Sequence, residues 1–354
     1  MTLTVGISGL RRGLSVARVF PLFPDCAIIA GCDPDTAARE SFSAQFPRAR
    51  ACATYEDLLS HKPDAVVVAS PVPLHTEQSI AALQAGCHVL QEVCLAENLE
   101  QCHAIWQAVQ RHPAQKFMLA ENCCYWAHIM AWRQLFQAGQ LGELTHAEAE
   151  YIHDCRALTT RDGQPTWRMT LPPIHYCTHS LGPLLAITGS HCVSAVGLAT
   201  VSRLQPGPGR WDTETGLFRT DTGATIKILT GFRVCREPAF HYYSIYGSRG
   251  CLETTRPPQT LGTHAYLDSV PHLQGMMTLP LNTDVPRAPA GAGAGGHGTA
   301  EYFMVRDFIR AIREDTVPTL DIRAALDMSL PGLCAHQSAL AGGTPVEVPQ
   351  WHRT

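Results

Sequence analysis

Along roughly the first 120 residues, short apolar runs alternate with stretches of helical periodicity. Thr2 to Ser8, Ala27 to Cys32, Ala65 to Ala69, His88 to Glu92 and Phe117 to Ala120 read as strands buried on both faces. Between them, Leu14 to Phe20, Asp35 to Phe46, Tyr55 to Ser60, Thr76 to Ala85 and Asn98 to Arg111 carry the spacing of helices with one apolar side. This alternation predicts an α/β Rossmann domain, a parallel doubly wound sheet, over residues 1–122.

A helix from Trp126 to Leu141 follows, and the pattern then changes. In Ala147 to His153, Val193 to Thr200, Gly216 to Arg219, Thr225 to Phe232 and Tyr242 to Tyr246, apolar and polar residues alternate, as in strands with one covered face. Residues 123–354 are therefore expected to form an α+β domain with a largely antiparallel open sheet, serving oligomerisation or covering the substrate. Pro286 to Gly298, rich in Ala, Gly and Pro, reads as a mobile surface loop, and its neighbourhood near the second domain makes a lid conceivable. Helices over Glu301 to Glu314 and Ile322 to Ala341 close the chain, either within their own domain or packed back on the first, and Gly342-Gly343 stops the last one.

The formal net charge of −4, with 16% charged residues, gives no basic field for nucleic acid and no acidic tail. A small neutral or mildly polar ligand suits such a surface better. No stretch approaches the roughly 20 apolar residues of a membrane span, and the start MTLTVGISGL is strand-like, so a cytoplasmic protein is expected. The 14 cysteines are scattered without a C-x-x-C and read as reduced, mostly buried small hydrophobes.

Gly6-Ile7-Ser8-Gly9-Leu10-Arg11-Arg12-Gly13 lies where the first strand passes into a helix. A dinucleotide fingerprint has glycine two places after Gly9, where Arg11 stands here. The loop residues Gly9, Leu10, Arg11 and Arg12 are taken as cofactor-binding, with Asp33, about 20 residues on, accepting from a ribose 2′-OH. An acid there favours NAD; Arg11 or Arg12 would soften that preference, and NADP stays open. Ser70, Pro71 and Glu92 fall along the same carboxyl edge, and His75 opens the next helix.

Ile174-His175-Tyr176-Cys177-Thr178-His179-Ser180-Leu181-Gly182-Pro183 concentrates ionisable side chains behind Pro172-Pro173, where a helix should begin. A helix from about residue 174 to 188 would put His175 and His179 on one face, with Tyr176 and His179 neighbours at i and i+3. Trp167 and Arg168, just upstream, suit stacking on a sugar ring and holding its hydroxyls. Tyr242 and Tyr243 point to opposite faces of their strand, so at most one joins the pocket, and Tyr242 is the candidate named. A metal on His175 would need Glu150, His153 or His241; without an H-E-x-x-H motif no metal is expected.

Taken together, the N-terminal pattern, Asp33-Pro34-Asp35, Ala65 to Thr76, Ala85-Gly86-Cys87-His88-Val89-Leu90, Glu92, Glu121-Asn122, Gly142-Glu143 and Val346 to Trp351 resemble, in order, the Gfo/Idh/MocA oxidoreductases. The resemblance covers nearly the whole chain, and it adds Glu121 to the cofactor set and Glu92 and His175 to the substrate set. Two departures stand out. The family usually has lysine and proline after its strand-end glutamate, and a lysine there helps hold the reacting hydroxyl; here Val93 and Cys94 follow Glu92. The usual aspartate four residues before the active-site histidine is His175.

Tyr176-Cys177-Thr178-His179-Ser180-Leu181-Gly182-Pro183 is similar instead to the family's NAD-dependent glycosidase branch, of the α-N-acetylgalactosaminidase type. In that branch NAD oxidises a sugar hydroxyl, the neighbouring C–H is acidified, the glycosidic group is eliminated, water adds and the hydride returns. The resemblance makes His179 the general base and Tyr176 the acid or orienting group, roles an imidazole and a phenol can fill near pH 7. It implies a carbohydrate substrate and a homo-oligomer, dimer or tetramer. An ordinary sugar or cyclitol dehydrogenase is the alternative, and a catalytically silent nucleotide-binding relative, motivated by Arg11, is a third reading.

Overall fold

The computed structural model describes residues 2–281 and 287–353. They fall into two compact units, Met1–Tyr125 with Pro286–Leu326, and Trp126–Val285 with Asp327–Thr354.

In the first unit the N-terminal apolar runs become a six-stranded parallel sheet of order β3-β2-β1-β4-β5-β6. Its strands are β1 (Leu3–Ser8), β2 (Cys26–Cys32), β3 (Arg50–Cys52), β4 (Ala65–Val68), β5 (His88–Gln91) and β6 (Phe117–Leu119). Edge strand β3 had no pattern to betray it, being short, with Arg50 and Ala51 exposed. Helices α1 (Arg12–Ala17), α2 (Thr36–Gln45), α3 (Tyr55–Ser60), α4 (His75–Gln84) and α5 (Leu99–Arg111) connect the strands. Asp35, Thr54 and Asn98 cap α2, α3 and α5 by accepting a backbone N–H of the first turn. Strand order reverses between β1 and β4, the place where such sheets open a ligand crevice at their carboxyl ends.

Of the loop expected at Pro286–Gly298, Pro286 lies outside the described residues. From Arg287 on, the segment belongs to the first unit, not to the second as a lid would require. A 3-10 turn at Ala292–Gly295 packs on α1, with Ala292 and Gly295 buried. The later helix α8 (Ala300–Arg313) is anchored there too, because Asp307 accepts from the Tyr125 hydroxyl at 2.8 Å.

The second unit begins with α6 (Ala127–Gln137). Its main sheet has nine strands among the described residues: β7 (Leu144–Ile152), β10 (Cys192–Val201), β11 (Trp211–Thr220), β12 (Thr225–Gly231), β13 (Phe240–Gly247), β14 (Gly250–Thr254), β15 (Thr263–Leu267), β16 (Met277–Leu279) and β17 (Val346–Glu347). A separate hairpin pairs β8 (Thr160–Arg161) with β9 (Gln164–Pro165). All neighbours in the large sheet run antiparallel except β7 and β12, which are parallel. Helix α7 (Thr178–Thr188) packs across β7, β12 and β13, and α9 (Ile322–Leu340) runs to the C-terminal segment. The opposite face of β7 is polar: Glu148 pairs with Lys227 at 2.7 Å, and Glu150 takes both ends of the Arg256 guanidinium. No helix among the described residues is long and apolar enough to cross a membrane.

Candidate active site

At the carboxyl edge of the first sheet, Gly9 has φ +82°, and a Cβ there would stand 2.4 Å from the Ala69 carbonyl oxygen. Only glycine lets β1 turn this close to the end of β4. Asp33, expected to hold a ribose, also shapes the loop: its carboxylate accepts the Leu10 N–H and the Asp35 N–H, each at 2.9 Å. Arg11 pairs with Asp35. Arg12 is held more deeply, with Nε 2.8 Å from Glu92 and Nη1 3.0 Å from Glu301, which in turn bonds His297. Burial opposes the Arg12 charge, yet Glu92 and Glu301 outweigh it and raise its pKa. Both arginines thus have carboxylate partners within the first unit.

His75 spans two loops of the same edge, its ring nitrogens 2.8 Å from the Ser70 and Cys94 carbonyl oxygens. The buried Ser70 hydroxyl beside it has no protein partner, Pro71 follows it, and buried Glu121 accepts the Cys123 N–H at 3.1 Å. A glycine cradle, a carboxylate at the end of β2 and an unsatisfied hydroxyl at the end of β4 fit a dinucleotide.

The second unit gathers rings around His179. Tyr176 and His179 have centroids 5.6 Å apart, and Tyr151 stands edge-on to His179 at 5.3 Å. His241 lies 5.9 Å from His179 and stacks on Tyr151 at 4.4 Å. Phe232 backs both Tyr151 and Tyr176. Tyr243 donates its hydroxyl to the His179 carbonyl, fixing the first turn of α7. The Tyr151 hydroxyl meets His153 Nδ1 at 2.9 Å, and burial lowers the His153 pKa. Arg168 lies over Trp167 at 4.0 Å, close enough to act on His153 electrostatically.

Sheet register explains who joins. β13 sets His241 opposite Tyr151 and Tyr242 opposite Glu150, so His241 and Tyr243 share the cluster's face. Tyr242, the candidate named from the sequence, sits on the polar face under Arg256, 3.9 Å from its guanidinium carbon, and the cluster takes Tyr243 instead. Tyr151, Phe232 and Trp126, which meets His241 edge-on at 4.8 Å, were not read as site residues. Strand alternation in β7 could have flagged Tyr151; nothing local marks the other two.

The family model for the oxidoreductase family with an NAD-binding Rossmann fold, GFO_IDH_MocA, matches residues 3–120. Over that span the chain resembles the Gfo/Idh/MocA oxidoreductases. It is an enzyme, with NAD as the cofactor its first unit is built to hold. A glycosyl hydrolase family 109 protein of Solibacter usitatus is 28% identical, over 82% of this chain and 72% of its own. An α-N-acetylgalactosaminidase of Bacteroides fragilis is 24% identical, over 82% of this chain and 75% of its own. Among solved structures, levoglucosan dehydrogenase in complex with NADH and levoglucosan shares the fold, with a TM-score of 0.85, 19% identity and coverage of 99% of this chain and 100% of that one.

The Gfo/Idh/MocA aspartate position, His175, has a different setting from the one its spacing suggested. Residues 173–176 form a 3-10 turn, and α7 starts only at Thr178. Glu214 causes the break: its buried carboxylate accepts the Ile174 N–H at 2.9 Å and pairs with His336 at 2.7 Å. His175 consequently turns to the His336 ring, 5.4 Å away, while His179 stays with Tyr176 and Tyr151. The close fit of α9 maintains this, since a Cβ on Gly332 would meet the Ile174 carbonyl oxygen at 2.6 Å.

Burial, and then the nearby His336, push the His175 pKa down to about 3, and burial pushes His128 down to about 4. Both rings are neutral in the fold, whereas the unfolded chain takes up their protons below about pH 6.5. Their contribution to stability is present above that pH and is lost as pH falls through 4 towards 3, on the order of a few kcal/mol. Urea midpoints at pH 7 and pH 4.5 should therefore differ, and His175→Phe should narrow the difference. An unchanged difference would show that the ring is not held neutral.

Proposed function

We propose that the protein is an NAD-dependent carbohydrate-active enzyme working at a ring carbinol carbon, and that its net reaction is redox-neutral glycoside cleavage. The observation that carries this reading is the meeting of Tyr176 and His179 within a cluster of Tyr151, His241 and Tyr243, while Val93 stands where a dehydrogenase lysine would. The names of the relatives support it: glycosyl hydrolase family 109 proteins and α-N-acetylgalactosaminidases.

NAD, when bound by the Gly9 loop, Asp33 and the Ser70–His75 edge, supplies a reversible hydride acceptor. His179 takes the proton of the carbinol hydroxyl and passes it to solvent, then takes that of the acidified neighbouring C–H; it returns the second to carbon as water adds and delivers one from solvent to the oxygen as the hydride returns. Tyr176 gives its phenolic proton to the departing glycosidic oxygen and recovers one when water adds. Tyr243 holds His179 through its backbone carbonyl, and Tyr151 and Phe232 keep the two reacting side chains at their spacing. Trp167 and Arg168 offer a sugar a ring face and a fork of donors. A cytoplasmic location and a homodimer or homotetramer belong to the same reading.

Purified protein with NAD and a panel of aryl glycosides and free sugars tests this, with aglycone release and reduced-cofactor absorbance followed together. Many turnovers of aglycone without net NADH are expected. Stoichiometric NADH with the glycosidic bond intact would replace the reading by a sugar dehydrogenase.

A further inference from the structure

Away from the nucleotide edge and the ring cluster, three metal-ligating side chains meet at the end of β3. Cys52 closes that strand, Asp57 lies in the first turn of α3, and His61 is the helix C-cap. One ligand atom from each lies within 4.8 Å of the other two. We propose that Cys52, Asp57 and His61 form a binding site for a borderline-soft divalent cation of the zinc class, with a fourth position open to water.

The backbone fixes all three. Thr54 caps α3 by accepting the Asp57 N–H at 3.2 Å, and the four-residue spacing then brings Asp57 and His61 to one face. His61 Nε2 stands 3.9 Å from the Asp57 carboxylate, too far for a hydrogen bond. Two donors on one tetrahedral ion with bonds of about 2.0–2.3 Å sit about 3.3–3.8 Å apart, so the site closes by up to about an ångström around the ion. A sulfur, a nitrogen and an oxygen donor suit zinc or cobalt and disfavour magnesium or calcium.

Charge balances as well. Thiolate and carboxylate neutralise a divalent ion, and the thiol proton goes to solvent when the ion takes its place. Cys52 is buried while Asp57 and His61 are exposed, so the ion enters from the solvent side and clips β3 to α3. The Cys52 carbonyl accepts the Asp33 N–H at 3.3 Å, so this clip adjoins the residue that shapes the glycine loop.

Cobalt titration of the chelator-treated full-length protein tests the site. One Co²⁺ per chain is expected, with a thiolate-to-cobalt absorption band and the strong visible bands of a tetrahedral ion, all displaced by zinc. Cys52→Ser should abolish the charge-transfer band, and His61→Ala should weaken cobalt binding by more than about tenfold. Circular dichroism shows that each variant is folded; the exposed His61 carries no core packing. Persistence of the band in Cys52→Ser, from another thiol such as exposed Cys235, would overturn the proposal. So would binding indifferent to both substitutions, which means an adventitious ion only, and so would no binding at all.

Discussion

His179→Ala and Tyr176→Phe are each expected to cut turnover by about 10²–10⁴-fold while leaving NAD affinity within about twofold of the parent. The two residues lie in the second unit, whereas Gly9, Asp33, Ser70 and His75 lie in the first. Removing a proton-transfer group raises the barrier without touching the groups that would hold the nucleotide. Tyr176→Phe is the sharper of the two, because the ring stays in place against Phe232, 5.2 Å away, and only the hydroxyl is lost. Its melting temperature should therefore hardly move. Turnover and NAD affinity measured side by side decide the matter: parental turnover in both variants would remove Tyr176 and His179 from the chemistry. A joint fall in turnover and NAD affinity would point to misfolding or to a role in binding.

The site was legible where chemistry and local spacing coincide. Tyr176 and His179, three residues apart, meet as that spacing requires even though the chain makes a 3-10 turn before α7, since both helix types bring such neighbours to one side. His175 shows the limit. Its relation to His179 needed one unbroken helix, and the break comes from Glu214, forty residues away and invisible to any local window. The same holds for Tyr242 and Tyr243. Alternation shows that they part company, but which one faces α7 depends on the pairing of β13 with β7. The fold was more accessible, because strands buried on both faces are apolar throughout whatever lies beside them. Edge strand β3, half solvated, left no such trace.

Arg12 was read as a cofactor contact, and its partners lead to a different expected result: Arg12→Met should destabilise the protein by about 3–5 kcal/mol, roughly 10 °C in melting temperature. The guanidinium sits between two buried carboxylates, Glu92 and the fully buried Glu301. Burial works against the Glu301 charge, and His297 and Arg12 nevertheless hold its pKa below the ordinary value. Taking Arg12 away leaves an uncompensated charge in the interior, which costs far more than the pair contributes. Thermal melts of Arg12→Met, Glu301→Gln and the double variant separate the effects. The double variant should regain part of the loss, because a neutral amide needs no counter-ion while Glu92 keeps its charge. If Arg12→Met instead melts like the parent and shifts only the choice between NAD and NADP, the arginine is a phosphate contact after all. The network would then be incidental to the fold.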